Sequence, residues 1–250
     1  MSKTFLVTGA GSGIGKAIVQ KLASNGNKCI LVGRNPQKLS QTLKEINGEN
    51  HISLACDVRH FKTLEREAKV LGNEPIDGII ANAGIGGENH RGEKDRWNEI
   101  VDTNLSGTYN TINAFLPNLL KSESGYKNII LMSSVLARLG VPNYSAYCAS
   151  KAGLLGLMRS WANEFAPKRI LVNAICPGWV NTKMAQDGLE EISEGMGISK
   201  DEFFNIAMQD VPLKKMSEPQ EVAELVNYLL NQESMTGQTI DINCGSVMNS

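Results

Sequence analysis

Residues Thr8–Gly15 read TGAGSGIG, a glycine-rich turn between an apolar run and an amphipathic segment. The run before it, KTFLVTG, predicts a buried strand. After it, Ile14, Ala17, Ile18 and Leu22 follow helical spacing and predict one face of a helix. Glycines at a strand-to-helix junction let backbone amides and the positive helix end approach a pyrophosphate. The stretch therefore predicts a dinucleotide-binding turn.

Five positions of this turn are candidate cofactor contacts. Gly9 permits the turn, Gly13 allows close approach of the backbone, and Gly15 lets the helix pack on the sheet. The full candidate set is Gly9, Ser12, Gly13, Ile14 and Gly15.

Short apolar runs alternate with helical patterns along the rest of the chain. The further runs are KCILVG, HISLACD, IDGIIANAG, NIILMSS, ILVNAICPG and QTIDIN. Such runs suit strands buried on both faces of a parallel sheet, and the alternation implies right-handed crossovers. We predict an α/β Rossmann-type fold: a doubly wound, mainly parallel seven-stranded sheet in three α/β/α layers. Residues 1–250 are interpreted as one domain, with a substrate lid at about 183–216 and a last helix capped by Ser217.

Composition excludes several classes of protein. The chain has 250 residues, of which 42% are hydrophobic, enough to bury a core, and a net charge of −1. Near-neutral charge disfavours nucleic acid or membrane partners, so a nucleic-acid-binding or scaffold module is a poor interpretation. No signal-peptide pattern is visible, the five cysteines are dispersed, and we expect a cytoplasmic protein. The isolated His51, His60 and His90 lack ligand spacing, so no metal site is expected.

The end of the second strand bears on the choice of dinucleotide. NAD-binding folds usually carry an acid about 20 residues after the glycines, but here the chain reads Gly33-Arg34-Asn35. A carboxylate there would repel a 2′-phosphate by about 4 kcal/mol at a separation of about 4 Å. Gly33 removes that repulsion and Arg34 offers a forked donor to the phosphate. The sequence favours NADP(H) over NAD(H); an ordinary solvated arginine is the alternative for Arg34.

Seven segments together resemble the short-chain dehydrogenase/reductase family in order and spacing. They are TGAGSGIG, CDV at 56–58, NAG at 82–84, DTNLSGTYN, Ser134, YCASK and CPGWVNT. The resemblance runs from Thr4 to Gly245 and implies hydride transfer between a nicotinamide and a carbonyl carbon, hence an enzyme acting on CH–OH donors.

The resemblance implies a catalytic set of Asn104, Ser134, Tyr147 and Lys151. Tyr147 would be the general acid/base and Ser134 would orient the substrate oxygen, with adjacent Ser133 as a competitor. Tyr147 and Lys151 are four residues apart, so they share a helix face. Because a free phenol is a weak acid, the Lys151 ammonium and the oxidised nicotinamide are expected to lower the pKa of Tyr147. Asn104 would hold a helix kink and a water leading to Lys151.

Further cofactor contacts follow from the same resemblance. Asp57 would accept from the adenine amino group, NAG would line the adenosine ribose, and PGWVNT would clasp the nicotinamide amide. Tyr147 and Lys151 would also face the cofactor ribose. The implied positions are Asp57, Val58, Asn82, Ala83, Gly84, Pro177, Gly178, Val180 and Thr182.

The substrate is less defined than the reaction. The chain resembles β-ketoacyl reductases of the fatty-acid and polyketide type, so a ketone, including a 3-oxoacyl thioester, is expected. Lys127, Lys168 and Arg169 are candidates for acyl-carrier-protein docking, but Gly125 and the NCG ending at 243–245 depart from that pattern. Relatives imply a homo-oligomer, tetramer or dimer. An NAD-linked alcohol or sugar dehydrogenase and a non-catalytic cofactor sensor are the alternatives. Met184, Met196, Phe203, Phe204 and Met208 are equally candidates for pocket lining and for lid packing.

Overall fold

The computed structural model describes residues 2–248, in which all seven apolar runs form strands of one sheet. The strands are β1 (Thr4–Thr8), β2 (Lys28–Gly33), β3 (Ile52–Ala55), β4 (Gly78–Ala81), β5 (Lys127–Met132), β6 (Ile170–Pro177) and β7 (Thr239–Ile242). Their order is β3-β2-β1-β4-β5-β6-β7, and every pair is parallel. The predicted doubly wound α/β fold is confirmed.

Helices connect the strands and cover both faces of the sheet. They are α1 (Gly13–Ser24), α2 (Pro36–Glu45), α3 (Phe61–Leu71), α4 (Trp97–Val101), α5 (Gly107–Leu120), α6 (Ser145–Phe165), α7 (Lys183–Met196), α8 (Lys200–Ala207) and α9 (Pro219–Leu230). A π-helical turn, Asp102–Ser106, joins α4 to α5. Among the helices of residues 2–248, none combines the length and apolar character of a bilayer-spanning segment.

Strand alternation explains the two-sided core. Leu6 of β1 belongs to the hydrophobic cluster on one face of the sheet, whereas its neighbours Phe5 and Val7 belong to the cluster on the other. Both faces are buried because successive side chains of a strand point in opposite directions. A sheet covered on both sides places its ligands at the carboxyl ends of the strands.

The predicted start of the last helix is wrong by one residue. Glu218, not Ser217, is the N-cap of α9, and it forms a capping box with Glu221. The Ser217 hydroxyl instead lies 3.4 Å from the Cys244 sulfur, because the chain pairs Ser217 with Val180 before the helix begins.

Candidate active site

Ser134 lies two residues beyond the end of β5, at the carboxyl edge of the sheet. Its backbone is extended, and its Oγ accepts from the Leu136 backbone N–H at 3.1 Å, at the start of a 3₁₀ turn. The hydroxyl is hydrogen-bonded to the Tyr147 side chain. Ser133 points elsewhere: its hydroxyl donates to the Lys151 carbonyl oxygen at 2.8 Å. Of the two serines, only Ser134 faces the tyrosine.

Tyr147 and Lys151 occupy the first two turns of α6. The Lys151 ammonium lies 5.5 Å from the centre of the Tyr147 ring. It also donates to the Met132 carbonyl oxygen at 2.9 Å and is buried. The i, i+4 spacing brings the phenol and the amine together, and the fold brings Ser134 from the end of β5 to the phenol, an arrangement suited to proton transfer.

The pKa of Tyr147 is raised in the structure, whereas the sequence pattern predicts a lowered pKa. Burial raises the pKa of Tyr147, and the hydrogen bond from Ser134 offsets it only in part. Burial also lowers the pKa of Lys151 to about 8, so the amine has already lost its charge at the higher pH where the phenol titrates. The phenol is consequently protonated at neutral pH.

Burial lowers the pKa of Lys151 to about 8 from its usual 10.5. Because the folded value is below the unfolded one, the charged amine destabilises the fold fully below pH 8, and the cost disappears as pH rises to 10.5. The difference between the two pKa values corresponds to about 3 kcal/mol of folding free energy. Burial of the Lys151 amine therefore destabilises the fold at neutral pH.

Lys151→Met is therefore expected to stabilise the chain by about 2 kcal/mol at pH 7, after about 1 kcal/mol for the lost hydrogen bond to Met132. The difference in the free energy of unfolding between variant and wild type should become smaller between pH 8 and pH 10. Urea unfolding of the nucleotide-free proteins at several pH values measures it. A wild type more stable than the variant at pH 7 would contradict a buried ammonium here.

Asn104 lies in the π-helical turn, where the resemblance implies a helix kink. Its Oδ1 accepts from the Ile85 backbone N–H at 2.8 Å, and its Nδ2 donates to the Ile85 carbonyl at 3.0 Å and to Ser150 Oγ at 3.1 Å. The fully buried carboxamide thus ties the segment after β4 to α6, the helix that contains Tyr147 and Lys151. The water leading to Lys151 stays a prediction.

The glycine-rich turn fits a pyrophosphate. Gly9 and Gly13 have φ values of 69° and 52°, and a Cβ on Gly15 would lie 2.3 Å from the Gly9 carbonyl oxygen. Ser12 is the N-cap of α1 but forms no side-chain cap, so its hydroxyl does not occupy the first amides of α1. The side chain of Ile14 packs against the core, which leaves its backbone for a ligand.

The surface beyond β2 fits an additional phosphate. Arg34 is exposed, and within residues 2–248 its side chain forms no hydrogen bond or ion pair. Gly33 lies against Leu39, so no side chain projects from it toward the neighbouring turn. A cation without a carboxylate in ion-pair contact, next to the dinucleotide turn, suits a 2′-phosphate.

Asp57 is already engaged by Arg59. Burial opposes ionisation of Asp57, but bonds from the Arg59 backbone N–H and guanidinium prevail and hold its pKa below the usual value. The adjacent Val58 is buried, and a Cβ on Gly107 would lie 2.5 Å from it. A ligand amino group at Asp57 would share the carboxylate with Arg59.

The NAG segment is hydrogen-bonded to the start of the glycine-rich turn. Asn82 Nδ2 donates to the Thr8 carbonyl at 2.9 Å, and the backbone N–H groups of Asn82 and Ala83 donate to Thr8 Oγ1. A Cβ on Gly84 would lie 3.4 Å from the Lys151 ammonium. The Asn82 side chain therefore helps to fix the glycine-rich turn, and Gly84 leaves space beside Lys151.

The PGWVNT segment meets the glycine-rich turn at Thr182. A Cβ on Gly13 would lie 3.3 Å from Thr182 Cγ2, and Thr182 Oγ1 caps α7 by accepting from Ala185. Gly178 follows Pro177 at the end of β6, where a Cβ would lie 2.9 Å from the Asn243 Cα. Val180 is buried in the core. The predicted nicotinamide clasp and the base of the lid are thus adjacent to the turn.

The lid candidates divide between core and surface. Met208 is buried with Leu189 and Val211, and Phe203 and Phe204 pack on that cluster. Met184 and Met196 are about half exposed, at 49% and 54%. Met184 lies against Gly86, on the segment after β4. Neither pocket lining by the five candidates nor the lid role of 183–216 is tested by these contacts, and both stay predictions.

Two of the three carrier-docking candidates have aromatic partners and the third is buried. Lys127, at the start of β5, is buried, which contradicts its assignment to a docking surface. Lys168 and Arg169 lie over the rings of Phe165 and Tyr126. All three precede or begin β5 or β6, at the sheet edge opposite Tyr147 in the same chain. As for metals, the described part of the chain contains no group of three potential ligands.

Sequence reasoning missed two contacts near the site. Asn89 hydrogen-bonds the start of α6, and Arg138 forms an ion pair with Asp241 at 3.4 Å, joining the turn after Ser134 to β7. Each pair is separated by more than 50 residues and follows no short motif. Only the fold brings them together.

Comparison with known proteins gives consistent matches over most of the chain. Residues 3–192 match the family model described as short chain dehydrogenase. The 3-oxoacyl-(acyl-carrier-protein) reductase FabG of Staphylococcus aureus is 33% identical over 258 residues, 99% of each chain. Its namesake from Thermotoga maritima is 32% identical over 256 residues, 98% of each chain. A variant of actinorhodin polyketide ketoreductase with NADPH superposes with a TM-score of 0.91 at 33% identity, covering 98% of this chain and 97% of that one.

Proposed function

The chain belongs to the short-chain dehydrogenase family of oxidoreductases, and from this membership we propose that it interconverts a ketone and a secondary alcohol with NADP(H). The observation that carries the proposal is the grouping of Ser134, Tyr147 and Lys151 at the carboxyl edge of the sheet. Two hydroxyls beside a buried amine are suited to proton transfer to and from a carbonyl oxygen.

NADP(H) is the proposed cofactor. It supplies or accepts the hydride when bound. The first turn of α1 would hold the pyrophosphate, Asp57 the adenine, and the segment from Pro177 to Thr182 the nicotinamide amide. Support for the phosphorylated form comes from Arg34 beside Gly33 and from the similar polyketide ketoreductase, whose structure was solved with NADPH.

In the reductive direction Tyr147 gives its proton to the ketone oxygen. Its raised pKa keeps it in the protonated form that this step requires. The Ser134 hydroxyl contributes a hydrogen bond that orients the same oxygen. The neighbouring Lys151 stabilises the phenolate left behind, and Asn104 would support proton return through a water.

A 3-oxoacyl thioester is the first substrate class to test. The names of the Staphylococcus aureus and Thermotoga maritima relatives specify 3-oxoacyl groups on an acyl-carrier protein. Delivery by a carrier protein has weaker support in this chain, since Lys127 is buried and residue 125 is glycine. The proposal is therefore a ketone next to a thioester or similar acyl group, independent of a carrier.

The test is a panel of ketones with NADPH and, separately, NADH, followed by loss of absorbance of the reduced nicotinamide. The panel contains 3-oxoacyl thioesters of N-acetylcysteamine and of coenzyme A, cyclic diketones and aldoses. We expect reduction of at least one 3-oxoacyl thioester, faster with NADPH. Turnover only with NADH and an alcohol or sugar would favour the NAD-linked alternative, and no turnover with nucleotide binding intact would favour a sensor.

We also propose a homo-oligomer. The outer face of α5 and α6 supports it: Tyr109 is half exposed and stacks on Trp161 with ring centroids 6.1 Å apart, and Leu120 is also exposed. Light scattering would give the mass in solution, and a mass of one chain at micromolar concentration would refute the proposal.

A further inference from the structure

We propose that Asn89 is a positioning residue for Tyr147: from the segment after β4, its carboxamide caps the first turn of α6 and fixes where the catalytic tyrosine stands. The inference rests on the proposed function, since it assigns a role in the same site. Asn89 lies outside every motif that the family resemblance supplied, and its importance is visible only in the contacts of the folded chain.

The contacts of Asn89 use the whole side chain. Its Oδ1 accepts from the Ala146 backbone N–H at 2.8 Å and from Ser145 Oγ at 3.2 Å. Its Nδ2 lies 3.1 Å from Ser145 Oγ and donates to Asp95 Oδ1 at 3.3 Å. Its backbone N–H donates to the Asn143 carbonyl at 2.7 Å. Asn89 is buried and its bond to the Ala146 amide is enclosed, so bulk water does not readily replace that bond.

Helix α6 has no N-terminal cap of its own. The residue at the N-cap position is Tyr144, whose side chain forms no cap hydrogen bond. The first amides of a helix need acceptors from outside the helix, usually a Ser, Thr, Asp or Asn at the N-cap. Here the acceptor comes from Asn89, 57 residues earlier in the chain. The cap therefore also docks the start of α6 onto another segment.

Asn89 is in turn hydrogen-bonded to Asp95. Asp95 Oδ1 accepts both from Asn89 Nδ2 and from the Trp97 backbone N–H, at 2.9 Å, where α4 begins. A continuous series of hydrogen bonds thus runs from α4 through Asp95 and Asn89 to Ala146. Ala146 immediately precedes Tyr147, so this series determines the position of the catalytic hydroxyl relative to Ser134.

Accurate placement of an acid relative to its substrate contributes strongly to rate, and a displacement of about 1 Å can cost about a hundredfold. Loss of the cap would loosen only the first turn of α6, because Lys151 remains held by its bond to Met132 and by Ser133 on its carbonyl. We therefore expect a defect in turnover rather than in nucleotide binding.

The decisive variants are Asn89→Ala, Asn89→Asp and the exchange Asn89→Asp with Asp95→Asn. Asn89→Asp alone places two carboxylates side by side, whereas the exchange keeps one acceptor toward Ala146 and one donor between positions 89 and 95. Asn231→Ala is the control, because that exposed side chain donates only to the Asn227 carbonyl oxygen at the end of α9. Each protein is measured for kcat, KM, NADPH affinity by fluorescence and Tm.

We expect kcat of Asn89→Ala to fall about tenfold or more with NADPH affinity unchanged, and the exchange variant to recover most of it while Asn89→Asp does not. A separate ultraviolet titration, taken as the difference from the matching Tyr147→Phe protein, should show the pKa of Tyr147 moving down toward its ordinary value in Asn89→Ala, as water reaches the hydroxyl. This readout needs no turnover.

Unchanged kcat and unchanged Tyr147 titration in folded Asn89→Ala would overturn the inference, as would loss of kcat in proportion to lost nucleotide binding. If Asn89→Ala does not fold, the exchange variant and Asn89→Asp carry the test. The exchange variant must then retain kcat, and a wild-type kcat in Asn89→Asp would refute the role. Failure of the proposed function is separate, since it would appear in the wild type with every ketone tried.

Discussion

Tyr147→Phe is expected to lower ketone reduction by about 10²–10⁴-fold, the range typical of a lost general acid. The substitution removes one oxygen and keeps the ring, so the packing of α6 and the approach of Lys151 should be preserved. Nucleotide affinity and Tm should stay close to those of the wild type. Steady-state rates with the best substrate from the ketone panel measure the effect.

Tyr144→Phe is the matched control. The Tyr144 ring lies edge-on to Tyr147 at a centroid distance of 6.4 Å, and burial raises the pKa of Tyr144 to about 12. It is a second phenol at the start of the same helix, and its loss should change kcat by less than about tenfold. If Tyr144→Phe abolished turnover while Tyr147→Phe did not, the assignment of the acid would be wrong.

Arg34→Ala is expected to weaken NADPH binding by about 10- to 100-fold and to leave NADH binding nearly unchanged. A charge-assisted contact to phosphate contributes about 1.5–3 kcal/mol, and only NADPH carries the 2′-phosphate that Arg34 can meet. The removed side chain has no hydrogen bond or ion pair within residues 2–248, so the fold should not be affected. Titration calorimetry with both nucleotides measures the two affinities.

Arg59→Ala separates this effect from a general loss of positive charge. Arg59 holds Asp57 through its guanidinium, next to the proposed adenine contact, so its removal should affect NADPH and NADH similarly. Equal losses for both nucleotides in Arg34→Ala would remove the argument for NADPH preference.

The strands and the site edge were predictable because their information is local. Each apolar run became a strand, and Ser134 and Thr182 follow strand ends where parallel sheets gather ligands. The i, i+4 spacing was enough to bring Tyr147 and Lys151 to one face of α6. The choice of Ser134 over Ser133 also agrees with the orientation of the two hydroxyls.

What the sequence could not supply depends on long-range packing. The cap from Asn89 and the Arg138–Asp241 pair join distant segments without a motif. The burial of Lys127 depends on what covers the start of β5. The direction of the Tyr147 pKa was wrong for the chain alone because desolvation depends on the packed surroundings, whereas the prediction counted only neighbouring charges.

The strand order has a consequence for how the chain is assembled during synthesis. β1, made first, lies between β2 and β4, and the half-sheet β3-β2-β1-β4 has all its strands once residue 81 has been made. From there each new strand adds to the same growing side, so the ribosome delivers β5, β6 and β7 in the order in which they dock. The segment with Tyr147 and Lys151 is therefore made before β6 can pair with β5, and translation completes the sheet outward from the strands beside the glycine-rich turn.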